Sequence, residues 1–206
     1  FRLLNAAKEG TRRIEGLVAK RIGLVECLEA ARDHDHYKSK LENGTGRGVA
    51  CGYWPNRGFQ SSVVMTVNYD GVVSLIMGSV DIGGTRASIA QQTAETLGIA
   101  YEDVKPTVVD TDSIGYTAIS AGSSAVYKTG WASFEAARDL QRQLADRAAL
   151  IWDVPVEEVD VNDDVFTHRS NTELRLTLKE IAARQNATGG PLVGRAGGVW
   201  GGESPG

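Results

Sequence analysis

The sequence predicts an α+β fold, a mixed β-sheet of about four to six strands with two main helices packed on one face. Three observations predict it. Residues 72–98 (VVSLIMGSVDIGGTRASIAQQTAETLG) run from a nearly continuous apolar segment through a glycine turn into an amphipathic helix. A second unit of the same plan follows, from Val104 through a loop of small residues into the longest helical pattern of the chain, residues 124–152. Ahead of both, Asn68-Tyr69-Asp70-Gly71 separates two strand candidates, and Asp-Gly accepts the positive φ angles of a two-residue hairpin turn.

In chain order, Phe1 to Gly10 has a short helical pattern that Gly10 terminates. Leu24 to His34 is a stronger helix, with Leu24, Cys27, Leu28 and Ala31 on one stripe. The run Asp33-His34-Asp35-His36 does not present two histidines on one helix face, so it reads as a solvated helix end and not a metal site. Gly44 to Gly48 is a polar, glycine-rich break and marks the expected domain boundary. Strand candidates then lie at Arg47–Trp54, Ser62–Tyr69 and Val72–Met77. Between the first two, Tyr53–Phe59 gathers aromatics and an arginine around a Pro-Asn turn, which reads as a packed connection or, alternatively, as a wall of the cleft.

The central helix, Arg86–Leu97, is expected to open with Thr85 as its N-cap. Ala90, Ala94 and Leu97 share one face with Ile89 at its edge, and Gly98 suits a left-handed terminus. Val104–Val109 is a short strand that Pro106 assigns to a sheet edge. Asp110–Ser113 suits a turn, and Ser120–Ser124 opens the long helix, Ser124–Trp152. There Val126, Gly130, Ala137, Leu140, Leu144, Ala148 and Ile151 recur at helical spacing, which predicts a buried face. Val156–Phe166 alternates as a hairpin turning at Asn162–Asp164. Thr177-Leu178-Lys179-Glu180 is a capping box for a short helix through Arg184. The tail, Gly189 to Gly206, is dense in glycine and reads as irregular, and disordered unless it packs on something.

Composition narrows the function classes. The 206 residues carry 42% hydrophobic and 23% charged side chains, an ordinary balance for a globular chain with an ample core. A net charge of −4 gives no basic face for nucleic acid. No stretch approaches the roughly 20 apolar residues of a membrane span, and no secretory signal is seen. Cys27 and Cys51 lack zinc or redox spacing and read as reduced thiols, which implies a cytoplasmic protein. A start at Phe1 without methionine suggests a piece of something longer.

A strand, a Gly-Gly turn and a helix N-terminus together let a phosphate approach unpaired backbone N–H groups at the positive end of a helix. The same pattern also serves as a plain connection between strand and helix. In two such units, both helix N-termini are able to face one cleft.

Four segments in order, GRGVACGYW (Gly46–Trp54), GSVDIGGTRASIAQQTAETLGI (Gly78–Ile99), DTDSIGYT (Asp110–Thr117) and AGSSAVYKTG (Ala121–Gly130), resemble the molybdenum-binding subunit of the xanthine dehydrogenase/aldehyde oxidase family. That family includes the aerobic carbon monoxide dehydrogenase large chains. The resemblance implies three segments: a helical connector (1–43), the first half of a molybdenum-cofactor-binding domain (44–188) and the glycine-rich tail (189–206). It also implies a molybdopterin cofactor with molybdenum, as the cytosine dinucleotide, held by backbone N–H groups of glycine loops. The cofactor-binding residues it implies are Gly83, Gly84, Thr85, Gly122, Ser123 and Ser124. The loop at Gly83-Gly84 is one residue shorter than the family's Gly-Gln-Gly loop and lacks its glutamine, so that contact is not carried over. No catalytic residue or metal ligand is assigned. The family's general-base glutamate lies farther downstream, and Glu203 follows the end of the resemblance too closely to be it.

The implied parent oxidises an aldehyde, N-heterocycle or similar small substrate with water-derived oxygen, and passes electrons to iron–sulfur and FAD partners. The chain alone is then expected to be inactive, empty of cofactor and prone to self-association, because the remainder of the subunit is missing. Two other readings stay open, a non-catalytic phosphate- or nucleotide-binding module and a purely structural α+β module. Lack of Gly-Lys-Ser/Thr and of G-x-G-x-x-G argues against ordinary nucleotide binders.

Overall fold

A computed structural model describes residues 1–14, 16, 18–52, 54 and 58–200. The chain divides into two compact units, residues 1–56 with 203–206 and residues 57–202. The first holds α1 (Arg2–Asn5), α2 (Leu24–Asp33) and α3 (Asp35–Lys38). The helix expected over Phe1–Gly10 is thus a single turn. Helix α2 matches its prediction, but of its stripe Leu28 alone is buried; Cys27 and Ala31 are exposed. His34 ends α2 in extended conformation and caps α3, its Nδ1 accepting from the His36 N–H at 3.1 Å. The strand expected at Arg47–Trp54 does not form: residues 47–52 are irregular and Trp54 is exposed. Gly48 and Gly52 weaken strand preference there. Arg47 instead turns back on α3, donating to the Tyr37 and Ser39 carbonyls.

The second unit is built on a four-stranded sheet of β1 (Gln60–Val67), β2 (Val73–Met77), β3 (Val104–Val108) and β7 (Leu192–Val199), in the order β3-β2-β1-β7. Strands β1 and β2 form an antiparallel hairpin in the register Val67↔Val73. The turn is longer than the expected two-residue one. Gly71 N–H returns to the Asn68 carbonyl at 2.9 Å, and only Gly71 takes a positive φ, +86°. Asp70 keeps a negative φ and accepts the Val72 N–H at 3.0 Å. Helix α4 (Thr85–Leu97) then crosses over to β3, which runs parallel to β2 at the sheet edge. Pro106 lies at that edge, where a missing N–H costs no ladder bond.

Alternation places Val63, Met65 and Val67 of β1 with Val73, Leu75 and Met77 of β2 on one face, all at most 4% exposed. Helices α4 and α5 (Ala125–Trp152) cover that face. Leu140 and Leu144 have no exposed surface, as the helical spacing requires. The mixed sheet with two helices on one face is the predicted α+β class.

After α5 comes an antiparallel sheet of β4 (Val159–Asn162), β5 (Val165–His168) and β6 (Asn171–Thr177). The predicted hairpin is β4–β5, turning at Asp163 with φ +54°; β6 was not foreseen. Thr177 and Glu180 form the predicted capping box on α6 (Leu178–Ala182), and α7 (Gln185–Thr188) follows.

The tail is the main departure from expectation. Residues 192–199 form β7 and pair with β1 along its full length, from Val67↔Leu192 to Gln60↔Val199. Gly194 is what lets it lie against α5. A Cβ at Gly194 would run into the Ala136 carbonyl and stand 2.9 Å from Leu140 Cβ, so glycine there allows α5 to lie against the strand. Gln185, 3% exposed, pins the entry by donating to the Val67 carbonyl and accepting from the Leu192 N–H.

Candidate functional site

Strands β2 and β3 are parallel, and each is followed by a helix running back along the same sheet face. The N-termini of α4 and α5 therefore emerge at one end of the sheet, beyond the strands' carboxyl ends. The residues expected to bind a cofactor, Gly83, Gly84 and Thr85 on one loop and Gly122, Ser123 and Ser124 on the other, share that end. A buried hydroxyl relay ties α5 to β1 and to the segment just after β2. Thr129 Oγ1 of α5 lies 2.5 Å from Ser79 Oγ and 3.1 Å from Ser61 Oγ, and all three residues are at most 1–2% exposed.

At the α4 end, Thr85 is not the N-cap. That position belongs to Gly84, left-handed at φ +87°, with Thr85 as the first helical residue. The capping oxygen comes from Asp81, four residues ahead of the helix. Its Oδ1 accepts from the N–H groups of Gly83 (3.1 Å) and Thr85 (2.9 Å), and its Oδ2 accepts from Arg86 Nε at 2.7 Å. The Arg86 guanidinium, with help from the two amides, holds the Asp81 carboxyl below its ordinary value and outweighs the opposing effect of desolvation. Gly83 and Gly84 stand in open space: no heavy atom lies within 4 Å of where a Cβ would be. Thr85 is 2% exposed and its hydroxyl has no partner.

At the α5 end the charge is reversed. Gly122 (φ +60°) and Ser123 (φ +57°) are consecutive left-handed residues that aim the chain into α5, with Ser124 as N-cap. Ser124 has no exposed surface, and its Oγ is unpartnered. One turn into the helix, Lys128 is fully buried; its side chain reaches back to donate to the carbonyls of Ala118 and, at 3.0 Å, Ile119. Its Nζ also lies 5.9 Å from the centre of the Phe59 ring. Burial is what pushes the Lys128 ammonium below the ordinary lysine pKa, and among the described residues no carboxylate offsets that cost.

Sequence reasoning missed Asp81 and Lys128. Asp81 had a signal, since an Asx residue two and four positions ahead of Gly83 and Thr85 can accept both amides. Lys128 had none, because a lysine in a helix reads as solvated. The Pro-Asn turn at 55–56 and Glu203 lie outside the described residues. Among the described residues, no group of three or more His, Cys, Asp or Glu side chains is placed to hold a metal ion, and no helix is long and apolar enough to cross a membrane.

Comparison with known proteins adds an independent line. Residues 23–200 match the family model described as the molybdopterin cofactor-binding domain. Among solved structures, the chain is similar to a reconstituted CO dehydrogenase from Oligotropha carboxidovorans, with 26% identity and a TM-score of 0.59 over 66% of this chain and 18% of that one. It shares its fold with an aldehyde oxidoreductase from Desulfovibrio desulfuricans, at 20% identity and a TM-score of 0.58 over 97% of this chain and 20% of that one. Quinoline 2-oxidoreductase from Pseudomonas putida 86 has the same fold, at 19% identity and a TM-score of 0.55 over 68% of this chain and 19% of that one. The chain spans about a fifth of the length of each.

Proposed function

The chain belongs to the molybdopterin cofactor-binding domain family, and from that premise we propose that it supplies part of a molybdopterin site in a molybdenum-dependent oxidoreductase. Gly83, Gly84 and Thr85 with Gly122, Ser123 and Ser124 form the cofactor-facing loops. The observation that carries this is the pair of orphaned hydroxyls. Thr85 Oγ1 and Ser124 Oγ are buried without partners at the two helix N-termini, both at the same end of one sheet. Buried hydroxyls are ordinarily satisfied, so an unsatisfied pair beside glycine loops fits a polar ligand that completes them.

The cofactor, here proposed as the cytosine dinucleotide form, supplies redox chemistry that oxidises an aldehyde, N-heterocycle or similar small substrate with oxygen derived from water. The residues of this chain bind and orient it. Glycine at 83 and 84 lets a ligand approach the backbone, and Ser124 offers a hydroxyl that donates or accepts. The remainder of the molybdenum subunit, with iron–sulfur and FAD subunits or domains, completes the enzyme in the cytoplasm. Without them the chain is inactive and empty, and it self-associates. The three-part organisation into residues 1–43, 44–188 and 189–206 belongs to the same proposal.

The test is metal and pterin content of the full-length molybdenum subunit carrying Gly122→Val. A Cβ-branched residue at φ +60° both strains the loop and closes the backbone to a ligand. Molybdenum and pterin per subunit should fall severalfold while the far-ultraviolet circular dichroism is kept. Wild-type occupancy in a folded variant would sink the proposal.

A further inference from the structure

Among the asparagines of this chain, Asn43 alone is followed by glycine, and the structure leaves that pair open to reaction. Residues 42–45 form a tight turn, in which the Thr45 N–H and Thr45 Oγ1 both donate to the Glu42 carbonyl, at 3.1 and 2.7 Å. Gly44 takes φ +81° while Asn43 keeps a negative φ, the signs of a type II turn with glycine in its third place. The Gly44 N–H has no acceptor among the described residues, and the Asn43 carboxamide has no partner there either. Asn43, Gly44 and Thr45 are exposed, and no atom lies within 4 Å of a Cβ built on Gly44. The other asparagines are all followed by a residue with a Cβ. Of these, Asn5, Asn68, Asn171 and Asn186 also have their side chains hydrogen-bonded.

We propose that Asn43 is a site of spontaneous covalent modification, in which the Gly44 nitrogen closes on the Asn43 side chain. The Gly44 N–H gives up its proton to hydroxide, the nitrogen bonds to Asn43 Cγ, and the carboxamide C–N bond breaks with release of ammonia. The product is a succinimide ring. Water opens that ring at either carbonyl, leaving aspartate when it attacks Cγ and isoaspartate when it attacks the main-chain carbon. The sum is asparagine plus water giving a carboxylic acid plus ammonia, with no oxidant or reductant. Glycine at 44 matters because a Cβ there would crowd the attacking nitrogen and restrict the rotation that brings it to Cγ. Only the two bonds to the Glu42 carbonyl hold the turn, so local opening allows that rotation. The new carboxylate stands beside Glu42 and makes the net charge of −4 one unit more negative. Isoaspartate also lengthens the main chain, which breaks the turn.

The purified chain, held in mildly alkaline buffer made with oxygen-18 water and sampled over days by peptide mapping, reads this directly. The tryptic peptide of residues 41–47 should show the mass gain of amide-to-acid conversion with one heavy oxygen, in two chromatographically distinct forms. One of these forms should accept a methyl group from an isoaspartyl methyltransferase. Peptides carrying Asn5, Asn68, Asn171 and Asn186 should convert severalfold more slowly. Gly44→Ala should slow the conversion at 43 severalfold. Because alanine is strained at φ +81°, Asn43→Gln serves as a second variant, and there the larger ring needed should all but abolish the mass gain. The rate in the folded chain should stay within severalfold of that in urea. Conversion at 43 no faster than at the bonded asparagines, an undiminished rate in either variant, or conversion confined to urea would each overturn the assignment.

Discussion

Glycine does two different jobs in this chain, and the difference is measurable. Gly84 is left-handed with open space around it, so Gly84→Ala meets no atom and costs only the backbone conformation, about 1–2 kcal/mol. Gly194 is different, because any side chain there meets the Ala136 carbonyl and Leu140. Gly194→Val should cost about 1–3 kcal/mol through overpacking and loosen β7 from α5. Urea unfolding of both variants checks the order. Leu140→Ala, at a position with no exposed surface between α5 and the sheet, should cost about 2–5 kcal/mol. An unfolding midpoint unchanged from wild type would refute that packing.

The N-terminus of α4 depends on the charge of Asp81. Its carboxyl pKa is lowered in the folded chain, first by Arg86 and then by the Gly83 and Thr85 amides. A depressed folded pKa means that the cap's contribution is fully present above the unfolded value of about 3.9. It is lost as pH falls through the lower folded value. Amide exchange at Gly83 and Thr85, corrected for intrinsic rates, should keep its protection from pH 6 down to about 3.9 and lose it only as the pH falls further, through the folded value, and Asp81→Asn should flatten the profile. Protection independent of pH would show that Asp81 is not the cap. Strand β7 poses a parallel case on its outer edge. Gln143 holds both the N–H and C=O of Val193, and Asp139 accepts the Arg195 N–H at 3.2 Å. These helix side chains satisfy an edge that otherwise invites another strand.

For the chain as a whole, the loop end of the sheet and the outer face of α5 carry apolar surface. Ile82, Tyr116 and Ile119, on the loops at that end, are 68–74% exposed. Tyr127, Trp131 and Phe134 line the solvent side of α5, with Trp131 and Phe134 edge to face at 5.6 Å. Exposed large apolar side chains of this kind suit an interface, here proposed for the rest of the subunit. In its absence the chain should self-associate, and the double variant Trp131→Lys with Phe134→Lys should shift it towards monomer in sedimentation velocity. A wild-type chain that stays monomeric at high concentration would count against this.

Local pattern by itself determined a good part of this protein. The apolar alternation of β1 and β2, the helical stripe through Leu140 and Leu144, the αL glycine at 98, the Thr177–Glu180 capping box and the edge position of Pro106 all depend on neighbours a few residues apart, which the sequence displays. The paired loop–helix units were legible for the same reason. What needed the tertiary structure is whatever depends on a distant partner. Residues 192–199 read as irregular because their glycines lack strand preference, yet the free edge of β1 pairs with them and the backbone of α5 leaves no room for a side chain at 194. Arg47–Trp54 read as a strand and is none, because Arg47 is drawn to α3. The charge at each helix end was only partly legible: Asp81 stands where an Asx residue can accept the amides ahead of α4, whereas Lys128 looks like a solvated helix residue in sequence. Folding turns one onto the α4 amides and buries the other beneath the loop ahead of α5, where low polarity makes a single charge count.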